Sequence, residues 1–277
     1  MKLTKRLLAV TLAGGLLAGA LTGCGNASTP AENSQADSST SKSDNLKISV
    51  ILNIEEDHLD FFKDLEDIRH SFHQFAALLP SDGTLVINGD IKNYTEIYEG
   101  LSCHVVTYGS SSDFDYSAEN ICYDKKGCVS FDLVKFGETA EHITLSVTGD
   151  HNVSNALSAI AVAELMHIPM KTIQKGLFSF TGTDRRFEYK GMLNGITIVD
   201  DYAHHPTEIT ATLKAAHHYP HNSLWCVFQP HTYTRTKAFF REFAEALSQQ
   251  ITSFSQIFMQ PERQILLASL RLIWQKK

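Results

Sequence analysis

The sequence has 277 residues, of which 43% are hydrophobic, so it can supply the cores of two domains. Its formal net charge is -7 and no basic stripe is visible, which excludes a nucleic-acid-binding surface. Five cysteines without a Cys-x-x-Cys pair exclude a disulfide framework and a structural zinc site.

The first residues have the order of a bacterial targeting segment. A basic stretch ending at Arg6 is followed by an Ala-, Leu- and Gly-rich stretch over 7–21 that is short for a membrane span. The string LTGC, which ends at Cys24, resembles a bacterial lipobox, in which the cysteine is lipidated. We therefore predict a lipoprotein signal peptide over 1–24, with export and membrane anchoring through Cys24.

Residues 25–47 are almost all small or polar, and they predict a disordered linker. The region after it alternates strand and helix patterns, which is typical of a parallel sheet. The predicted elements are a strand ending near Ile54, a helix over 65–79, a strand over 84–88, a short helix over 94–98 and a strand over 104–108. Antiparallel hairpins over 120–147 and two helices, ending near Met166 and Leu177, complete a domain over 48–181.

A second α/β domain is predicted over 182–249. It begins with a hairpin that pairs residues 187–192 with 196–199 across an Asn-Gly turn. The elements predicted after the hairpin are a helix over 206–217, a strand over 224–228 and a helix over 235–247.

Three apolar runs in these domains end in side chains that can bind metal, phosphate or carboxylate. Residues 48–52 run into NIEEDH, residues 196–199 into DDYAHHPTE, and residues 224–228 into QPHTYTR. Ligands of open α/β sheets bind beyond the carboxyl ends of the strands, so the clusters predict an enzyme for a nucleotide or acidic substrate. Taken singly, each cluster is also typical of a solvated acidic turn, a helix N-terminus or surface charge.

The same segments resemble a known family. The matching strings are NIEEDHLD (53–60), LLPSDGTLVINGD (78–90), GDHNVSNALSAIAVAE (149–164), TDRRFEYKG (183–191), VDDYAHHPTEI (199–209) and FQPHTYTRTK (228–237). They resemble the Mur ligases over residues 48–249, most closely the members that join L-alanine to UDP-N-acetylmuramate. The resemblance implies an α/β fold. A partial P-loop-type central ATPase domain, whose parallel sheet has added antiparallel strands, precedes a truncated Rossmann-like C-terminal domain.

The resemblance also implies a reaction and a set of site residues. The reaction is ATP-driven formation of an acyl phosphate, with ATP and Mg²⁺ as cofactors and UDP-N-acetylmuramate and L-alanine as substrates. The metal is assigned to Glu55, with Glu56 and Asp57 as the alternatives. The implied nucleotide-binding residues are His151, Asn152, Arg185, Arg186, Asp200 and Asp201. The implied catalytic or substrate-binding residues are His204, His205, His231 and Arg235, of which Arg235 is the candidate for clamping a substrate carboxylate.

The sequence departs from the family in two places. It contains no Gly-Lys dipeptide, so the Gly-Lys-Thr phosphate loop expected upstream of Glu55 is missing, as is the UDP-sugar-binding domain expected before that loop. The sequence of residues 250–277 does not resemble the family. One back-translation of these residues, read in another frame, gives a sequence that does resemble it. These residues are therefore predicted to be an out-of-frame tail. We therefore expect a truncated chimera without ligase activity.

Two other functions stay open. The leader favours a membrane-anchored surface lipoprotein with a non-catalytic ligand-binding module, and complementation by a separate chain could supply the phosphate loop. Export conflicts with ligase chemistry, which needs the ATP and UDP-sugars of the cytoplasm. The pattern leaves the oligomeric state open.

Overall fold

A computed structural model describes residues 47–230 and 232–249. The predicted signal peptide with Cys24, the linker up to residue 46, His231 and the predicted tail over 250–277 lie outside the described residues. In the part that is described, no helix has the length and apolar character needed to cross a membrane.

Six strands form one sheet, in the order in which they follow one another along the chain. They are β1 (Ile48–Ile51), β2 (Thr84–Asn88), β3 (His104–Gly109), β4 (Tyr116–Tyr123), β5 (Cys128–Lys135) and β6 (Glu138–Thr148). Neighbours from β1 to β4 run parallel, whereas β5 is antiparallel to both β4 and β6. This is the parallel sheet with added antiparallel strands that the sequence predicts.

Helices cover both faces of this sheet, as a parallel sheet requires. They are α1 (Leu65–Ala76), a 3₁₀ turn (Tyr94–Ile97), α2 (His151–Leu165) and α3 (Met170–Ser179). One apolar core includes Phe131 of β5 and Leu157 of α2, and a second includes Ile68 of α1 and Ile87 of β2. The middle of β2 is buried on both faces, which explains its unbroken apolar sequence.

The second domain is smaller and has a separate core. Its elements are β7 (Glu188–Leu193), β8 (Ile196–Asp200), α4 (Pro206–His218), α5 (Tyr233–Ala238) and α6 (Phe240–Gln249). The two strands form the predicted antiparallel hairpin. Its core packs Ile209 and Leu213 of α4 against Phe243 and Leu247 of α6. The predicted helix over 235–247 is therefore two helices, which break at Phe239.

The predicted strand over 224–228 is wrong, because this segment pairs with no strand in the described residues. Its alternate side chains still differ: Phe228 is 8% exposed in the core of the second domain, whereas Trp225 and Val227 are 64% and 69% exposed. The apolar run therefore belongs to an extended segment with one buried face, and not to a strand that is covered on both faces. The first predicted strand is also shorter than expected, since β1 ends at Ile51 and not near Ile54.

Replacement of Val227 by Ser tests this correction. We expect the free energy of unfolding to change by less than about 0.5 kcal/mol, because the side chain already faces solvent. A strand buried on both faces would lose about 1.5–3 kcal/mol of apolar burial at this position. Urea denaturation of the full chain measures the difference, with Val86→Ser in the buried middle of β2 as the control that must destabilise.

Candidate active site at the domain junction

The loop after β1 meets the second domain through two carboxylates. The Glu55 Oε2 atom lies 3.4 Å from Nδ1 of His205. The Asp57 Oδ1 atom accepts hydrogen bonds from Nη2 and Nε of Arg235, at 2.8 and 3.1 Å. Residues from all three clusters predicted in the sequence therefore converge at one junction, although only the cluster after β1 follows a strand of the parallel sheet.

Asp57 is the best-defined anion of this junction. Burial alone would raise the pKa of its carboxyl, but the hydrogen bonds from Arg235 and from the His58 amide outweigh burial and hold that pKa below its ordinary value. Asp57 is therefore ionised at neutral pH and neutralises Arg235. The sequence predicts Asp57 as an alternative metal ligand, whereas the structure pairs it with Arg235. The predicted carboxylate clamp Arg235 thus contacts a carboxylate of the protein.

His205 links the start of α4 to the same loop. Its Nδ1 accepts from the Thr207 amide at 3.4 Å, and its Nε2 lies 3.1 Å from the Glu56 carbonyl oxygen. A neutral ring with the proton on Nε2 satisfies both contacts, since it donates to the Glu56 carbonyl. A doubly protonated ring would instead donate from Nδ1 to Glu55. Glu56 thus contributes its backbone here, and Glu55 its side chain.

Glu208 organises the histidine loop and was missed by the sequence reasoning. Its Oε2 accepts from the amides of His204 and His205, at 2.9 and 3.3 Å, and its Oε1 lies 3.3 Å from Nη1 of Arg186. Burial would raise the pKa of Glu208, but the His204 amide and the charges of His204 and Arg186 lower it overall. The signal was present in the sequence, because Glu208 stands three residues after His205 in a capping box.

The predicted nucleotide residues lie beside this loop. Asp201 accepts from the amides of Phe187 and Ala203 at 2.8 and 2.7 Å, so its carboxylate fixes the backbone on both sides. Burial lowers the pKa of the His151 imidazole. The charge of Asp201 opposes this shift, whereas the charge of Arg186 adds to it. His151, Arg186 and Asp201 therefore share one electrostatic environment.

The other three residues of this set make different contacts. Asn152 donates from Nδ2 to the Thr148 carbonyl at 2.7 Å, which fixes its amide at the start of α2. The Arg185 guanidinium carbon lies 5.7 Å from the centroid of the Tyr202 ring, within the range of a cation–π contact. Asp200, at the end of β8, has an oxygen 3.9 Å from Nζ of Lys190.

The junction fits a magnesium ion that arrives with phosphate. Among residues 47–230 and 232–249, no three His, Cys, Asp or Glu side chains are grouped to hold a metal ion. Mg²⁺ is commonly held by one or two carboxylates together with substrate phosphates, so a single carboxylate such as Glu55 is a sufficient protein ligand. Glu55 faces the junction at 34% exposure of its side chain, which favours it over the exposed Glu56.

Comparisons with known proteins agree with the geometry. A model of the Mur ligase middle domain matches residues 31–163, and a model of the Mur ligase glutamate ligase domain matches residues 185–269. The UDP-N-acetylmuramate–L-alanine ligase of Lachnospira eligens is 56% identical over 205 residues, which are 74% of this chain and 45% of the relative. The ligase of the same name from Lachnoclostridium phytofermentans is 55% identical over 210 residues, with 72% and 45% covered. The chain thus spans less than half the length of these relatives.

Solved structures show the same fold. The UDP-N-acetylmuramate–alanine ligase of Thermotoga maritima superposes with a TM-score of 0.65 at 25% identity, over 82% of this chain and 49% of that one. A MurF ligase from the same organism gives a TM-score of 0.66 at 18% identity, over 79% and 50%. The predicted fold class is confirmed, and the chain carries the middle and C-terminal domains of the Mur ligases.

Proposed function

We propose that this chain represents an ATP-dependent ligase that joins L-alanine to UDP-N-acetylmuramate in peptidoglycan precursor synthesis. The observation that carries the proposal is the convergence of Glu55, Asp57, His205 and Arg235 at the junction of two Mur ligase domains. The names of the similar ligases supply the two substrates. ATP and UDP-sugars are found in the cytoplasm, which we propose as the site of this activity.

We propose a role for each site residue according to its charge. Glu55 would hold Mg²⁺, which would shield the charge of the ATP phosphates. Arg186, held by Glu208, faces the nucleotide together with His151 and Asp201, while Asn152, Arg185 and Asp200 border it. Arg235 binds a substrate carboxylate after Asp57 releases it. His204 and His205 line the acceptor side, where fixed amides of the loop orient them; His231 is proposed to contact the same substrate.

We infer that the 277-residue polypeptide by itself does not perform this reaction. Its sequence contains no Gly-Lys dipeptide, so no phosphate loop of the Gly-Lys-Thr kind can hold the β- and γ-phosphates. The carboxylate and arginine positions are present without that cradle. We therefore propose that the 277-residue polypeptide is inactive by itself although these residues keep their positions.

A domain graft tests the proposed function. Residues 48–249 of this chain replace the matching segment of the Lachnospira eligens ligase, and ADP release is measured with UDP-N-acetylmuramate and L-alanine. We expect release that needs both substrates and that falls about 100-fold or more in Glu55→Gln, whereas exposed Glu99→Gln leaves it unchanged. A graft that melts like the parent enzyme but releases no ADP contradicts the proposal.

The leader supports a second candidate function, a membrane-anchored lipoprotein with a non-catalytic ligand-binding module. The observation behind it is the basic, apolar and LTGC order that ends at Cys24. Labelling with a radioactive fatty acid in a bacterial host should mark the chain but not its Cys24→Ala variant. Equal labelling of both, or of neither, rejects lipidation at this residue.

A further inference from the structure

The junction between the two domains is held by two kinds of contact. One is aromatic and close-packed: the ring of Tyr123 stacks on His218 with centroids 3.8 Å apart. Gly127, in the turn after β4, approaches the end of α4 so closely that an added Cβ would lie 2.9 Å from the His218 carbonyl oxygen. The other contact is ionic and comes from the loop after β1. Within the described ranges, the ion pairs that cross the junction all start from this loop.

The ionic contact is shielded and directional. The side chains of Asp57 and Arg235 are 15% and 11% exposed, and both donating nitrogens of Arg235 point to one oxygen. The His205 side chain is 13% exposed beside Glu55. Removal of one partner from such a shielded pair leaves the other charge unpaired, which costs more than at an exposed site, and salt weakens the pair as far as solvent reaches it.

These four residues are also the ones that a ligand would need. A metal ion at Glu55 competes with the His205 contact for the carboxylate, and an anion at Arg235 competes with Asp57, which already neutralises the guanidinium. The loop therefore presents one carboxylate to Arg235 and another to the His205 ring. A ligand of either charge has to displace one of these contacts.

We propose that Asp57 and Arg235 form an ionic latch, which together with the contact of Glu55 and His205 docks the second domain on the first and withholds Arg235 and Glu55 from ligands until it opens. The aromatic stack of Tyr123 on His218 stays as the pivot. The docking contact is a property of the junction alone, whereas the withholding of Glu55 and Arg235 from ligands rests on the function proposed above.

Hydrogen exchange of the full chain tests the latch. The reporters are the amides of Phe61 and Phe62, bonded to the His58 carbonyl, and the amides of Thr236 and Phe239 in and after α5. In Asp57→Asn we expect all of these to exchange at least about threefold faster, while the core of β2 is unchanged. The matched control is Asp60→Asn, the same substitution at an exposed position of the same loop.

Two further arms separate a latch from a local structural role. Raising NaCl to about 0.5 M should speed exchange of the reporters in the parent chain but not in Asp57→Asn. The charge swap Asp57→Arg with Arg235→Asp should restore slow exchange. The proposal is overturned if the parent chain is insensitive to salt at these amides, an outcome that needs no variant to fold. It is overturned as well if Asp57→Asn exchanges like the parent, or if the swap exchanges like the single variant.

Discussion

Phe131→Ala is expected to lower the free energy of unfolding of the first domain by about 3–5 kcal/mol. Phe131 has no exposed surface and sits in the core between the sheet and α2. Its removal leaves a cavity that the close-packed neighbours cannot fill. Since a domain is stable by about 5–15 kcal/mol, this single change removes a large share of the total.

Urea denaturation followed by circular dichroism measures this loss. The matched control is Phe136→Ala, because Phe136 is 70% exposed and touches only the edge of the same region, with its ring 5.9 Å from that of Tyr116. The control should cost less than about 1 kcal/mol. Equal losses for the two variants would show that β5 does not face the core as described.

Glu208→Gln is expected to destabilise the second domain by about 1–3 kcal/mol at neutral pH, because it removes a charge that holds Arg186 and the histidine loop. The effect has a defined dependence on pH. The pKa of Glu208 is lowered in the folded state, so its contribution is complete above the unfolded value of 4.5 and is lost as pH falls through the lower folded value.

The difference in unfolding free energy between the parent and Glu208→Gln should therefore be present at about pH 5 and shrink as pH falls below 4.5. Denaturation titrations at several pH values measure it. Glu245→Gln, at an exposed position of α6, is the control and should show no such change. A difference that grows on acidification would mean that Glu208 is not held as a carboxylate.

Local patterns predicted most of the first domain, because each of its elements has a clear period and a clear stop. The β2 sequence TLVIN is apolar throughout and is buried on both faces, and Pro80 follows the predicted first helix. The segment over 224–228 has a similar pattern but forms no strand. Whether an extended run becomes a strand depends on a partner, and the partner is not part of the local pattern.

The sequence predicted which clusters of residues form the site, but not which residues pair with each other across the domain junction. The strand-end rule and the family strings brought Glu55, His205 and Arg235 to one place. They could not assign Asp57 to Arg235, since those residues are 178 positions apart and their pairing follows from how the domains dock. The capping-box position of Glu208 makes it predictable from the sequence, but a carboxylate that binds backbone amides is neither a metal ligand nor a phosphate ligand.

We propose that Glu55, Arg186 and Arg235 belong to a Mur ligase site and that the 277-residue chain, which contains no Gly-Lys dipeptide, does not hold ATP phosphates by itself. Titration of ATP with Mg²⁺ into this chain, followed by calorimetry, tests the proposal most directly. We expect no saturable binding tighter than about 1 mM, near the upper end of ordinary substrate affinities. Saturable binding in the micromolar range would contradict it, because a phosphate cradle would then have to exist elsewhere in the chain.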